Sequence, residues 1–207
     1  MVVFQALTWE ARDEEDDHLI SIFGKTADGQ SVCLTTTFDP YFFVKLPRGT
    51  TQQDVKVLYN DLNRLRENQI TSYSITQQKD VWGFQNNEEF FFMHLNFKTV
   101  AARRKINSVF MYNKDYKQYH VYESNIDPVL RLMHRTGIQS TGWIDTGDSC
   151  IRSHLANVDI DLWCNDWNTL KPVDRDDIAP FIVASFDIEC NSSTGKFPDA
   201  NVIGDAC

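Results

Sequence analysis

Apolar residues along the chain follow two spacings, and the change from one to the other divides it. Through residue 40 they alternate or come in short bursts. His18-Leu-Ile-Ser-Ile-Phe-Gly24 and Ser31-Val-Cys-Leu-Thr-Thr-Thr-Phe38 flank Ala27-Asp28-Gly29, where Asp-Gly supplies the positive φ of a hairpin turn. In the second of these segments Val32, Leu34 and Phe38 share a face by the two-residue period. Residues 1–40 therefore read as β structure.

From residue 41 the two-residue period and the helical period interleave. Tyr41-Phe-Phe-Val-Lys-Leu46 reads as a strand closed by Pro47. Thr51-Gln-Gln-Asp54 has the form of a capping box, with Thr51 as N-cap and Asp54 placed to reach back. Behind it Val55, Leu58, Leu62 and Leu65 recur at three and four, which predicts an amphipathic helix ending near Asn68. Ile70 to Gln77 and Phe90-Phe-Phe-Met-His-Leu-Asn-Phe97 read as strands. A second helix starts near Thr99 and runs through Ala102, Ile106 and Val109, and Gln118-Tyr-His-Val-Tyr-Glu123 is a further strand. The order over 41–123 is βαββαβ, the ferredoxin-like topology.

A third helix carries its own punctuation: Asp127 as N-cap, Pro128 at the first helical position, Gly137 at C′. Gly142-Trp-Ile-Asp145 and Asn157-Val-Asp-Ile-Asp-Leu-Trp163 read as short strands, and 165–177 as polar and irregular, with Pro172 inside. In Phe181-Ile-Val-Ala-Ser-Phe-Asp-Ile-Glu-Cys190 six of the first eight residues are apolar, the pattern of a central strand covered on both faces. The fold class is α+β.

Composition narrows the function classes. The 207 residues suit one or two domains, and 42% hydrophobic with 13% aromatic content excludes wholesale disorder. No apolar run approaches the roughly 18 residues of a membrane span, and the start lacks the basic flank and cleavage site of a signal peptide. A net charge of −9 argues against tight nucleic-acid binding by this chain alone. It leaves room for a piece of a larger nucleic-acid enzyme whose basic cleft lies elsewhere. The acidic run Asp13-Glu-Glu-Asp-Asp17 reads as solvated surface, and Arg103-Arg104-Lys105, with Lys98, Lys114 and Lys117, is the basic region. Cys33, Cys150, Cys164, Cys190 and Cys207 are scattered without a C-x-x-C, which suggests free thiols in a reducing compartment. The five histidines pair with no Cys or carboxylate at metal-ligand spacing.

Asp187 and Glu189 are the pair that invites chemistry. Ionised carboxylates on a buried strand need partners, because desolvation is costly. At a spacing of two they share a face while Ile188 points away, and a divalent cation between them would relieve their repulsion, as in two-metal phosphodiester hydrolysis. The plainer alternative is a strand end passing into a solvated loop.

The wording of this stretch resembles a known family. Ile178-Ala-Pro-Phe-Ile-Val-Ala-Ser-Phe-Asp-Ile-Glu-Cys190, followed by Lys196-Phe-Pro198, is similar to the first exonuclease motif of family B DNA polymerases, especially the delta branch and its relatives in large eukaryotic DNA viruses. Tyr122-Glu-Ser-Asn-Ile126, Leu130-Arg-Leu-Met133 and Gly142-Trp-Ile144 resemble the family's upstream stretch, in the family's order, with Leu132 standing where the delta branch usually has Phe. Trp82-Gly-Phe84 and Phe38-Asp-Pro-Tyr-Phe-Phe-Val44 are similar to its N-terminal domain.

The resemblance implies an N-terminal domain over 1–178, β-rich around the ferredoxin-like unit at 41–123. Over 179–207 it implies the truncated start of an RNase H-like 3′–5′ exonuclease domain. It implies that Asp187 and Glu189 are catalytic ligands of Mg²⁺ in proofreading, and that the parent enzyme replicates DNA from primer-template and dNTPs, with a sliding clamp as partner. It also implies an intracellular setting, a nucleus or a viral replication factory. The later exonuclease motifs and the polymerase palm are absent before Cys207, so the chain alone should be inactive. Some relatives have an RNA-recognition-like N-terminal domain, for which Tyr41, Phe43, Phe90 and Phe92 would be the stacking candidates and Arg103, Arg104 and Lys105 the phosphate contacts. Packing of those aromatics under neighbouring elements is the competing reading, since Glu88-Glu89 stands where a basic residue and Gly are expected. The uracil reading of archaeal relatives, whose pocket uses a stretch comparable to Pro40-Tyr41, is not carried over. A non-catalytic nucleic-acid-binding module and a stand-alone two-metal exonuclease are the alternatives.

Overall fold

The computed structural model describes residues 1–65, 69–187, 190 and 195. Among these the strands form two sheets. The first begins with a long hairpin, β1 (Val3–Glu14) and β2 (Asp17–Thr26), and returns through β3 (Ser31–Thr37). Gly29, at φ +90°, makes the β2–β3 turn that Asp28-Gly29 predicts. The chain then passes to the second sheet through β4 (Tyr41–Lys45), α1 (Gln52–Leu65), β5 (Ile70–Lys79), β6 (Glu89–Phe97), α2 (Val100–Tyr112) and β7 (His120–Tyr122). It comes back through α3 (Pro128–Thr136) to β8 (Trp143–Asp145), β9 (Cys150–Arg152), β10 (Ile160–Cys164) and β11 (Lys171–Val173).

The first sheet runs β11-β8-β1-β2-β3-β10-β9, with β3 and β10 parallel and the other neighbours antiparallel. The second runs β5-β6-β4-β7, antiparallel throughout. Alternation sorts its faces. Phe42, Val44, Met93, Leu95 and Phe97 face α1 and α2, where Val55, Leu58, Leu62, Ala102, Ile106 and Val109 complete one core. A second core joins the first sheet to α3 through Phe4, Ile20, Ile22, Leu34, Leu132, Ile144 and Leu162, and Tyr41 of the second sheet belongs to it. Each fully buried large side chain contributes about 1.5–3 kcal/mol of transfer free energy.

The helix punctuation forms as the sequence dictates. The Thr51 amide donates to Asp54 Oδ2 at 2.8 Å, and the Asp54 amide to Thr51 Oγ1 at 3.2 Å. Thr99 caps α2 by accepting from the Ala102 amide. Asp127 caps α3, which ends at Gly137 with φ +75°. The predicted end of α1 near Asn68 falls outside the described residues.

Three expectations differ. Within the polar stretch 165–177 a 3₁₀ turn (Trp167–Thr169) and the edge strand β11 form, and Pro172 is tolerated at the sheet edge, where a missing N–H costs no ladder bond. Residues 181–187 do not form the central strand that their apolar run suggests: Ile182, Val183 and Phe186 are exposed. A strand exists through pairing, and no described strand pairs with this segment, so hydrophobicity alone does not order it. Finally, Cys33, Cys150 and Cys164 are free thiols, but Cys190 is disulfide-bonded, against the reading from scattered spacing.

Candidate functional site

The path to Asp187 is set by a strap laid along the first sheet. β11 pairs with β8 through Lys171 to Val173. The Trp143 indole then donates to the Asp177 carbonyl at 2.8 Å, and the Arg175 guanidinium lies 3.9 Å from the Trp143 ring centroid while pairing with Asp177. The Ala179 amide donates to Gln5 Oε1 at 2.7 Å, and Ala179 is buried. Lys25 reaches the Pro180 carbonyl at 3.4 Å. Past Pro180 the chain leaves the sheet, and Asp187 sits in exposed, irregular backbone. Glu189 lies outside the described residues. Among the described residues no three His, Cys, Asp or Glu side chains are gathered to hold a metal ion. Asp187 offers the hard oxygen that Mg²⁺ prefers, in a donor set that needs further ligands.

The four aromatic candidates share the face of the second sheet opposite the helices, as the period predicts. They do not form an open platform. Tyr41 is buried against Phe38 and lies under the Arg131 guanidinium, 4.5 Å from its ring centroid. Phe43 stacks on His94 at 4.8 Å. Phe92 is buried edge-on to Tyr122, and Lys45 Nζ stands 3.6 Å over the Phe90 ring. Where the two sheets meet, a cavity of about 330 Å³ opens among Phe38, Tyr41, His94, Asn96, Arg135 and Trp167. Burial, then the charges of Arg135 and Arg131, pulls the His94 imidazole below its ordinary value and favours its neutral form.

The basic cluster is split by the helical period. Arg103 is buried and donates to the Ile126 carbonyl at 2.6 Å, fixing the segment before α3. Arg104 and Lys105 are exposed.

Two polar constellations escaped the sequence reading. Asp80, in the loop after β5, receives Lys45 Nζ at 2.5 Å and the Tyr122 hydroxyl at 3.0 Å, with its side chain 4% exposed. Burial would raise its carboxyl, but the hydrogen bonds from Lys45, the Trp82 amide and Tyr122 outweigh that and hold it at about 2. Burial and the donation to Asp80 push the Tyr122 hydroxyl up to about 12. The second is Asp13, which accepts from the Val100 and Ala101 amides at the start of α2. Local spacing does not signal the long-range contacts, because Lys45, Tyr122, Val100 and Ala101 lie 35 to 88 positions from the carboxylates they bind.

Residues 119–207 match the family model for DNA polymerase family B, exonuclease domain. A DNA polymerase of Acanthamoeba polyphaga mimivirus is 30% identical, with 95% of this chain and 13% of that protein covered. A DNA polymerase delta catalytic subunit of Dictyostelium discoideum is 30% identical over 87% of this chain and 18% of its own length. In three dimensions the chain is similar to the family B DNA polymerase of the archaeon Pyrobaculum calidifontis, with a TM-score of 0.63 at 16% identity, over 84% of this chain and 21% of that one; this likeness concerns the fold. The chain spans between 13% and 23% of the length of the first curated relatives it matches. The chain is thus similar to family B DNA polymerases, viral and delta enzymes among them, over a fraction of their length.

Proposed function

We propose that the chain is the N-terminal part of a DNA-directed DNA polymerase that proofreads, ending in the first segment of its 3′–5′ exonuclease. The observation that carries this reading is the family match over 119–207, which takes in Asp187 and Glu189. In this assignment 1–178 is the N-terminal domain and 179–207 begins an RNase H-like domain. The element order β4-α1-β5-β6-α2-β7, with sheet order β5-β6-β4-β7, supports a ferredoxin-like unit over 41–123.

The role of the N-terminal domain is then to carry the exonuclease segment. The strap from Lys171 to Pro180 is held by β8, Trp143, Gln5 and Lys25, so the first sheet fixes the chain as far as Pro180, from which it runs on towards Asp187. Asp187 and Glu189 supply acidic oxygens to Mg²⁺, which when bound activates water and neutralises the leaving oxygen. The rest of the site must come from other segments, and this chain alone neither excises nor extends. Primer-template DNA and dNTPs are the substrates of the whole enzyme, a sliding clamp its partner, and a nucleus or viral factory its setting. Tyr41, Phe43, Phe90, Phe92 and Arg103 are assigned to packing, supported by the burial of Tyr41, Phe92 and Arg103 and the ring contacts of half-buried Phe43 and Phe90, and Arg104 and Lys105 to weak phosphate contact.

The test is a complete enzyme carrying Asp187→Ala with Glu189→Ala. Excision of a labelled primer should be abolished while extension is nearly unchanged, because polymerisation uses its own metal ligands elsewhere. Excision at the wild-type rate by this variant would refute the assignment.

A further inference from the structure

Cys150 and Cys164 face each other across the antiparallel pair β9–β10. The hydrogen bonds on either side define the kind of pair. The Asn165 amide donates to the Ser149 carbonyl at 3.2 Å, and the Ser153 amide to the Asp161 carbonyl at 2.9 Å. Hydrogen-bonded and non-hydrogen-bonded positions alternate along such a ladder. With 149/165 and 153/161 hydrogen-bonded, 151/163 is hydrogen-bonded as well, and 150/164 falls at a non-hydrogen-bonded position. Opposed Cα atoms there lie about 4.5 Å apart, and a disulfide spans Cα separations of about 4.4–6.8 Å. The two side chains point to the same side of the sheet and pack on the same core, Cys164 fully buried and Cys150 half-buried.

We propose that Cys150 and Cys164 are a redox-active thiol pair, which a small peroxide closes into a disulfide linking β9 to β10. The two sulfurs are not equivalent. Each thiol donates to a backbone carbonyl, Cys150 to Thr146 at 3.2 Å and Cys164 to Asp166 at 3.3 Å, so the difference comes from elsewhere. The neighbouring Cys164 sulfur together with burial pushes the Cys150 thiol up, and the neighbouring Cys150 holds Cys164 down, so Cys164 gives up its proton the more readily of the two. The Cys164 thiolate attacks one peroxide oxygen, the O–O bond breaks and hydroxide leaves. The Cys150 sulfur then attacks the resulting sulfenic acid, the S–O bond breaks and the S–S bond forms. Both thiol protons and the lost oxygen end in water, so two thiols and one hydrogen peroxide give one disulfide and two waters. Cys33 is an internal control: it is a buried free thiol whose ladder neighbours are Phe23 and Asp161, and burial raises it.

Trypsin separates the relevant sulfurs, placing Cys150 on 136–152, Cys164 on 153–175, Cys33 on 26–45 and Cys190 on 176–196. The 207-residue chain is reduced, desalted, treated with equimolar hydrogen peroxide, alkylated and digested. The expected product is 136–152 joined to 153–175, lighter than the two reduced peptides by two hydrogens, regenerated as free thiols by dithiothreitol and lost completely in Cys164→Ser. Cys33 should remain fully alkylated. The proposal is overturned if Cys150 and Cys164 both stay alkylatable, or if either joins Cys190 or Cys33 instead of its cross-strand partner.

Discussion

The Asp13 carboxylate accepts the backbone amide of Ala101 at 2.9 Å, while its other oxygen accepts that of Val100 at 3.0 Å. A residue of the first sheet therefore closes the N-terminus of a helix packed on the second, beside that helix's own cap, Thr99. A carboxylate on unsatisfied amides at the positive end of a helix dipole is favourable twice over. Lys98 adds an ion pair to Asp16 at 2.9 Å, so the tip of the β1–β2 hairpin is bound where it could have been merely solvated.

Asp13→Ala should therefore destabilise the chain by about 1–2 kcal/mol in urea unfolding at pH 7, the range of lost caps and dipole contacts. Burial opposes the ionised form, yet the Ala101 and Val100 amides and His18 leave the carboxyl below its usual range. Its folded value is thus below its unfolded one, so the contribution is fully present above the unfolded value, about 3.9, and is lost as pH falls through the folded one. The difference between wild type and Asp13→Asn should shrink on acidification. Equal stability of wild type and Asp13→Ala at pH 7 would contradict the capping role.

Asp80 gives a second acid-sensitive contact. With its carboxyl at about 2 against about 3.9 unfolded, its stabilisation is present above pH ~4 and is lost as pH falls towards 2. Asp80→Ala leaves Lys45, itself largely covered, without its anion and should cost about 3 kcal/mol, the low end for breaking a buried pair. Lys45→Met with Asp80→Leu should cost less than the sum of the single changes, a coupling that a double-mutant cycle in urea measures.

How legible each part was depends on the range of the interaction that forms it. Helix ends are set within four residues, so the Thr51/Asp54 box, Asp127-Pro128 and Gly137 could be read directly. Strands with their own alternation, such as β3 and β6, were equally plain. β11 was not, because Lys171-Pro-Val173 becomes a strand only through its pairing with β8. Residues 181–187 failed in the opposite direction: the apolar run is there, the pairing is not. At the candidate site the pair Asp187/Glu189 came from spacing and from family wording, whereas the burial of Tyr41 came from the second sheet's far face meeting α3 and the first core, that of Phe92 from Tyr122, and that of Arg103 from the segment before α3. No periodicity within 41–123 encodes that meeting.

Gly24 tests the register of the β1–β2 hairpin. It lies opposite Ala6, next to the register shift between Ala6 and Thr8. A Cβ on Gly24 would stand 2.0 Å from the Gln5 carbonyl oxygen and 2.8 Å from the Phe4 ring, and a backbone oxygen in a ladder has nowhere to move. Gly24→Ala should cost about 1–3 kcal/mol, as overpacked sites do, and lower the midpoint of thermal unfolding. An unchanged midpoint would mean that the strands approach less closely than described.

The isolated chain should bind primer-template DNA weakly. Its net charge is −9, and of Arg103, Arg104 and Lys105 only the last two reach solvent, since Arg103 is committed to the Ile126 carbonyl. Phosphate neutralisation supplies most non-specific affinity, typically with Kd of about 10⁻⁴–10⁻⁶ M at physiological salt for proteins with several cationic contacts. Two exposed cations in that cluster, on a body whose net charge is −9, belong at or beyond the weak end of that range. Fluorescence anisotropy of a labelled primer-template should therefore give a Kd of about 10⁻⁴ M or weaker at physiological salt. The salt dependence should be shallow, with a slope near −2 on logarithmic axes for two phosphate contacts. Arg104→Ala with Lys105→Ala should remove that slope, whereas Tyr41→Ala should alter stability and leave the salt dependence as it was. A Kd of about 10⁻⁸ M, the level of specific complexes, would show that the chain holds a binding surface which its charge and its buried aromatics do not provide.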